Sequence, residues 1–229
     1  MIRIGKYVYR VLEPSMVYPF DAISLLIDQG DHLSLIDSGT GLRGVYEQII
    51  HSIIFLGLTG KRIYRVYNTH CHFNNAGGDY MFHRSHSAVI VSHEEDSKAI
   101  KEGDPLLTDS YRYNTRFHPT PVGYLLREEK GLLEEDMVKL EYSHTPGHTP
   151  GSTTYIIYDP LRTIATVGDA LGSLNEKWAS NEEEWMKTVD KLKDLEADTY
   201  CTSIKCYNKQ EFRRYLSQIV EEGPLWISE

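Results

Sequence analysis

Apolar positions along the chain fall into two rhythms that alternate. Residues 21–28 and 32–37 are short apolar runs flanking Gln29-Gly30-Asp31, an arrangement that predicts a β-hairpin. Between Leu42 and Leu56 the residues Val45, Ile49, Ile53 and Leu56 recur at helical spacing, and Gly57 supplies the stop. Residues 62–69 read as a strand. Ser92-His93-Glu94-Glu95 has capping-box spacing, and Gly103 closes the helix it opens. An irregular stretch rich in Pro, Tyr and Arg follows over residues 104–123, a length usual for a functional loop. Strands are predicted near residues 137–143, 153–159 and 163–167. Ser180-Asn181-Glu182-Glu183 is a second capping box, opening a helix with Trp185, Val189 and Leu192 on one face. The last helix runs over residues 208–222, with a stripe of Phe212, Tyr215, Leu216, Ile219 and Val220. Both stripes are read as core packing. Strands and helices alternate with hairpins mixed in, so the pattern is α/β or α+β, with layers of sheet and helices outside.

Composition narrows the classes. At 229 residues, 41% hydrophobic and 25% charged, the chain is an ordinary globular sequence. Its 24 basic against 33 acidic residues give a net charge of −9, which argues against non-specific nucleic-acid binding. The longest apolar stretch, residues 49–58, is broken by His51, Ser52 and Gly57 and is too short to span a bilayer. The N-terminal MIRIGKYVYR lacks the continuous apolar core of a signal peptide. Three cysteines, an odd number, give no disulfide framework, and the reducing cytoplasm is the expected compartment. The expectation is therefore a single domain over residues 1–229 acting on a small molecule, without membrane or nucleic-acid partner, with room for a homo-oligomer.

The chemistry concentrates in three places. In NTHCHFNNAGG, His70 and His72 stand two apart, so at a strand end both imidazoles can aim at one point. Gly77-Gly78 then permits a tight turn into a helix. In HTPGHTPGS, prolines and glycines stiffen a loop between strands with His148 at its tip. In TVGDAL, a β-branched strand ends at Gly168, and Asp169 follows as a candidate oxygen ligand. Tyr111, Tyr113, Phe117 and His118 in the long loop could wall a substrate pocket, although packing onto the core is the plainer reading of the aromatics. Arg112, Arg116 and Lys205 could meet an anionic substrate, with solvation as the plainer alternative. His83 and His86 read as part of a solvated stretch. Cys71 reads as a small packed hydrophobe facing away from the ligands, and Cys206 as a buried structural thiol or, less simply, a substitute ligand.

In this order, THCHFNNAGG, TPGHTPGS and VGDAL resemble the metallo-β-lactamase-fold superfamily, especially its glyoxalase II-like hydrolase branch. LIDSG, with Asp37, is similar to that family's first, mainly structural, motif. The resemblance implies an αββα four-layer sandwich, two mixed sheets flanked by helices, with a metal site at one edge. It places His70, His72, His148 and Asp169 at the first metal site. For the second site the family pattern calls for an aspartate at Asn74, a histidine at Asn75 and a further histidine at Ile204, and all three are missing. An amide oxygen is a weak donor for a divalent transition metal and Ile204 is none at all, so one metal is expected, not two.

Zinc is the favoured ion and iron the alternative. Four protein ligands saturate tetrahedral zinc, whereas iron would keep open positions. The expected activity is hydrolysis of a small ester, thioester or lactone, with Asp169 and His148 in the catalytic centre. Two alternatives remain at this stage: an iron oxygenase resembling persulfide dioxygenases, and a degenerate member that binds a ligand without catalysis. The chain ends soon after its last helix, so no large appended substrate domain is expected.

Overall fold

The hairpin predicted around Gln29-Gly30-Asp31 forms, and it lies in the middle of the first of two sheets. In the computed structural model, which describes residues 1–228, β3 (Ser24–Asp28) and β4 (Leu33–Ile36) pair antiparallel, with Leu25 opposite Ile36. Seven strands make this sheet: β1 (Ile2–Arg3), β2 (Val8–Leu12), β3, β4, β5 (Ile63–Tyr67), β6 (Val89–His93) and β7 (Tyr124–Leu126), adjacent in that order. The second sheet has six, in the order β13 (Cys206–Asn208), β12 (Thr199–Thr202), β11 (Arg162–Gly168), β10 (Thr153–Asp159), β9 (Lys139–His144) and β8 (Lys130–Leu133). Both sheets are mixed. β4 to β7 run parallel, as do β11 and β12, and the remaining pairs are antiparallel.

Strand alternation explains why the central runs are apolar throughout. Leu25 and Ile27 point into the inter-sheet core, where they share a cluster with Leu140, Tyr155, Ile157 and Ile164 of the facing sheet. Leu26 and Leu35 point the other way, against Val45, Ile49 and Ile53 of helix α1 (Val45–Phe55). A strand covered on both faces has no polar face to show. Helices α3 (Asp79–His86) and α4 (Glu94–Glu102) also pack on the first sheet. On the second sheet, α5 (Glu182–Asp194) and α6 (Lys209–Glu222) bury Trp185, Val189, Leu192, Phe212 and Leu216. Each fully buried Leu, Ile or Val side chain contributes roughly 1.5–3 kcal/mol. Helix, sheet, sheet, helix is the expected αββα order.

Several local expectations are corrected. Both capping boxes slip by one residue. His93, not Ser92, caps α4, its Nδ1 accepting from the Glu95 amide, and Asn181, not Ser180, caps α5 by accepting from Glu184. Ser92 is still strand and its side chain is buried, so the helix can only start beyond it. His83 and His86 lie on α3 and not in a solvated stretch. His86 is half-buried, with its Nε2 3.0 Å from the Tyr46 hydroxyl. Val220 is exposed and drops out of the α6 stripe. Cys201 and Cys206 form a disulfide across β12 and β13, so Cys206 is no free thiol and the odd cysteine count concealed a pair. That pair removes the cysteine argument for a reducing compartment. Among the described residues no helix is long and apolar enough to cross a membrane.

Candidate metal centre

Three loops meet where the two sheets share an edge. The chain leaves β5 at Tyr67 and carries Thr69, His70 and His72 past the sheet end; the Thr153 amide of β10 donates to the Thr69 carbonyl at 2.7 Å and ties the sheets there. The β9–β10 connection carries His148, and Asp169 follows the last residue of β11. One ring nitrogen from each of His70, His72 and His148 lies within 4.8 Å of the other two, and all three residues are buried. Asp169, about one-fifth exposed, places Oδ2 3.7 Å from His70 Nε2 and 4.0 Å from His148 Nε2. The four positions read from the motifs therefore converge.

The tautomers favour a cation. His148 Nδ1 sits 2.6 Å from the Ser173 carbonyl, an acceptor only, so Nδ1 carries the proton and Nε2 keeps its lone pair. The Thr69 hydroxyl donates to Asp37 Oδ2 at 2.8 Å, which leaves its oxygen to accept from His70 Nδ1 at 3.1 Å. His70 Nε2 is then a bare, buried lone pair with no hydrogen-bond partner in the protein. His72 Nδ1 lies 3.0 Å from His148 Nε2, close enough for both to face one point. Burial, and after it the neighbouring imidazoles, pushes the pKa of His70 and His72 well below the usual histidine value, which keeps them in the neutral form that is able to ligate a metal. This donor set fits a divalent transition metal.

Carboxylates hold the loops in place. Asp37 accepts from the Thr69 amide and hydroxyl and from Asn75 Nδ2. Asp96 of α4 accepts from the Cys71 and Gly151 amides and the Thr149 hydroxyl, and so joins the His70–His72 segment to the His148 loop. Gly151 is glycine for this reason, since a Cβ there would lie 2.6 Å from the Asp96 carboxyl carbon. Asp79 accepts from Ser38 and from Asn68, and burial raises its pKa to about 7. With the folded value above the unfolded one near 4, this group's stabilisation is full below pH ~4 and lost as pH rises through ~7. Asp79→Asn is therefore expected to gain thermal stability relative to the wild type between pH 4 and 7. Parallel melting curves across that range would show the assignment wrong.

At the second-site positions the residues do other work. Asn75 is fully buried, and its amide nitrogen donates to Asp37 Oδ2, at 2.7 Å, and to Ser203 Oγ, at 3.0 Å. Asn74 is half-buried. Ile204 is 73% exposed, so Ser203 and not Ile204 meets Asn75.

The pocket residues divide. Phe117 is core, packed with Cys71, Phe73 and Ile100, and His118 is exposed against Tyr80 at 4.2 Å, so neither is a pocket wall. Tyr113 is half-buried against Phe20 and Phe73, and burial raises its pKa to about 12, with the Asp169 charge among the further causes. Tyr111 lies under Lys177 Nζ at 4.9 Å. Gly77 and Gly78 have ordinary negative φ; the turn freedom expected of them is unused. They are small because the backbone carbonyls of Thr40 and Ser38 approach where a Cβ would stand. Trp178 went unread: its ring packs edge-on against His72 at 4.6 Å and His148 at 5.2 Å, and its indole N–H donates to Asp109. Its short 3-10 turn, Glu176–Trp178, carries no periodicity to find it by.

Two mixed sheets between helices, with a histidine-rich cluster at their shared edge, define the metallo-hydrolase class of αββα proteins. The chain belongs to the metallo-beta-lactamase superfamily, whose model matches residues 17–203. It is 30% identical over 152 residues to a protein of Methanocaldococcus jannaschii named a probable metallo-hydrolase, covering 66% of this chain and 69% of that one. It is 27% identical over 184 residues to the acyl-coenzyme A thioesterase MBLAC2 of Homo sapiens, covering 70% of this chain and 63% of that protein. Among solved structures it resembles the metallo-beta-lactamase GOB-18 from Elizabethkingia meningoseptica, with TM-score 0.78, 20% identity and coverage of 96% of this chain and 88% of that one. The subclass B3 enzyme BJP-1 of Bradyrhizobium japonicum gives TM-score 0.77 at 19% identity, covering 96% and 90% respectively. At such identities the structures speak for the fold alone.

Proposed function

We propose that this chain hydrolyses small thioesters, with esters and lactones as related substrates, using a single divalent metal at His70, His72 and His148 with Asp169 beside it. The observation that carries this reading is the convergence of three buried imidazoles next to one partly exposed carboxylate, while Asn75 is spent in a buried amide network. The thioesterase name of one relative favours the thioester among carbonyl substrates. A metal held there supplies a Lewis acid for the carbonyl oxygen and lowers the pKa of water.

The protein supplies the rest. Asp169, nearest of the carboxylates to His70 and His148, orients the attacking water and accepts its proton. The water oxygen ends on the acyl carbon, the C–S bond breaks, and the proton leaves on the thiol. Trp178 walls the imidazoles from one side and excludes water there. With Asp169 used in this way, His70, His72 and His148 would hold the metal, the three-ligand set that suits a catalytic rather than a structural zinc. Elemental analysis is expected to find about one zinc per chain, with turnover lost on chelation and restored by zinc. Two equivalents per chain, or turnover indifferent to chelators, would overturn the proposal.

A further inference from the structure

Beside the imidazole cluster lies a cation that the hydrolytic reading does not use. Arg112 lies in the 3-10 turn Ser110–Tyr113, with its side chain 40% exposed and its guanidinium carbon 5.4 Å from the Trp178 ring centroid. The same indole touches His72 and His148, so the guanidinium and the imidazole cluster share one ring as a neighbour. The only ion pair it makes among the described residues joins its Nε to Asp109 Oδ1 at 3.7 Å, too long for a hydrogen bond. That Asp109 oxygen is already engaged by the Trp178 indole N–H at 3.0 Å. Among the described residues the terminal nitrogens of Arg112 make no hydrogen bond within the protein, and the side chain is 40% exposed.

The surroundings hold this arrangement in place. Asp109 and Asn114, on either side of the turn, both adopt positive φ, 58° and 48°, although neither is glycine. Backbone held in that region is retained where the surrounding contacts require it. Tyr113 anchors the far side of the turn on Phe73, and the Phe73 amide donates to the Thr108 carbonyl at 2.7 Å. A guanidinium stacked on an indole loses little freedom when it forms a forked pair with an oxyanion.

We propose that Arg112, seated on Trp178, is a specificity residue that binds an oxyanion, carboxylate or phosphate, carried by the substrate a few bonds from the scissile carbonyl. This rests on the hydrolytic reading above and narrows it to anionic acyl or thiol groups. The reacting bond is then placed from two ends, the carbonyl at the imidazole cluster and the oxyanion at Arg112.

The test compares two thioesters of one uncharged thiol, S-succinyl and S-butanoyl, in the wild type, Arg112→Ala and Arg112→Lys. The wild-type preference for the succinyl compound, as a ratio of kcat/KM, is expected to fall about tenfold or more in Arg112→Ala, through KM, with only partial recovery in Arg112→Lys. Inorganic phosphate is expected to compete with the succinyl substrate and to lose potency in Arg112→Ala. Glutarate and inorganic phosphate are titrated separately against zinc-loaded protein by tryptophan fluorescence, a readout independent of turnover. Arg112-dependent quenching without hydrolysis of any thioester overturns the hydrolytic reading and leaves the oxyanion site standing. Hydrolysis with equal preference in all three proteins, and no quenching by either anion, overturns the oxyanion site alone.

Discussion

Replacing His148 with alanine is expected to lower kcat/KM for thioester hydrolysis by about 10³-fold, the scale of losing a preorganised electrostatic stabiliser, and to reduce bound metal well below one per chain. His148 brings its bare Nε2 to 3.0 Å from His72 Nδ1 because Ser173 fixes the proton on its other nitrogen. Alanine removes a proposed ligand and frees the Ser173 carbonyl, a loss of about 1–3 kcal/mol in its own right, so folding must be checked by circular dichroism. His144→Ala is the matched control. His144 leads into the same connection but stacks on His93 at 3.7 Å and bonds the Pro150 carbonyl, away from the cluster. That variant is expected to melt earlier while keeping its metal. Equal metal content in both variants would remove His148 from the centre.

The convergence of the candidate ligands was legible because its geometry is local. Two histidines at spacing two on a strand exit, one at the tip of a stiff loop and one aspartate after a strand end each carry their direction in the backbone. Central strands were legible for a related reason, since burial on both faces leaves unbroken apolar runs such as residues 24–28. Edge strands were not. β7 and β8 contain exposed Tyr124, Lys130 and Leu132, and their existence depends on neighbours supplied by distant segments. Helix starts were misplaced by one because the strand feeding α4 keeps Ser92 buried, a tertiary condition that capping chemistry does not encode.

What surrounds the candidate ligands was mostly silent. Trp178 sits in a turn with no period, and Phe117 looked like a pocket aromatic until packing with Cys71 and Ile100 placed it in the core. Cys201 and Cys206 were hidden by a total of three, although their spacing of five suits a tight hairpin between β12 and β13. Asp96 did leave a trace: it stands four before Ile100 on the buried face of α4, where a lone acid needs partners.

That trace leads to the second large effect, in a residue that touches no ligand. Asp96→Ala is expected to cost about 3 kcal/mol or more, since it leaves the buried Cys71 and Gly151 amides without acceptors. For a chain of this size such a loss lowers Tm by roughly 6–12 °C. Metal affinity is expected to fall about 10- to 100-fold, because the freed segments carry His70 and His72 on one side and His148 on the other. Asp96→Asn should fare little better, as its NH2 would face a backbone N–H that needs an acceptor. Thr149→Val is milder: it removes one donor to Asp96, and Ser152 still accepts from the Thr149 amide. Gly151→Ala probes the same junction from the opposite side, its added carbon meeting Asp96 at 2.6 Å. Calorimetric zinc titration of the four variants orders them. Should Asp96→Ala bind zinc as tightly as the wild type while melting early, Asp96 supports the fold without setting the histidines.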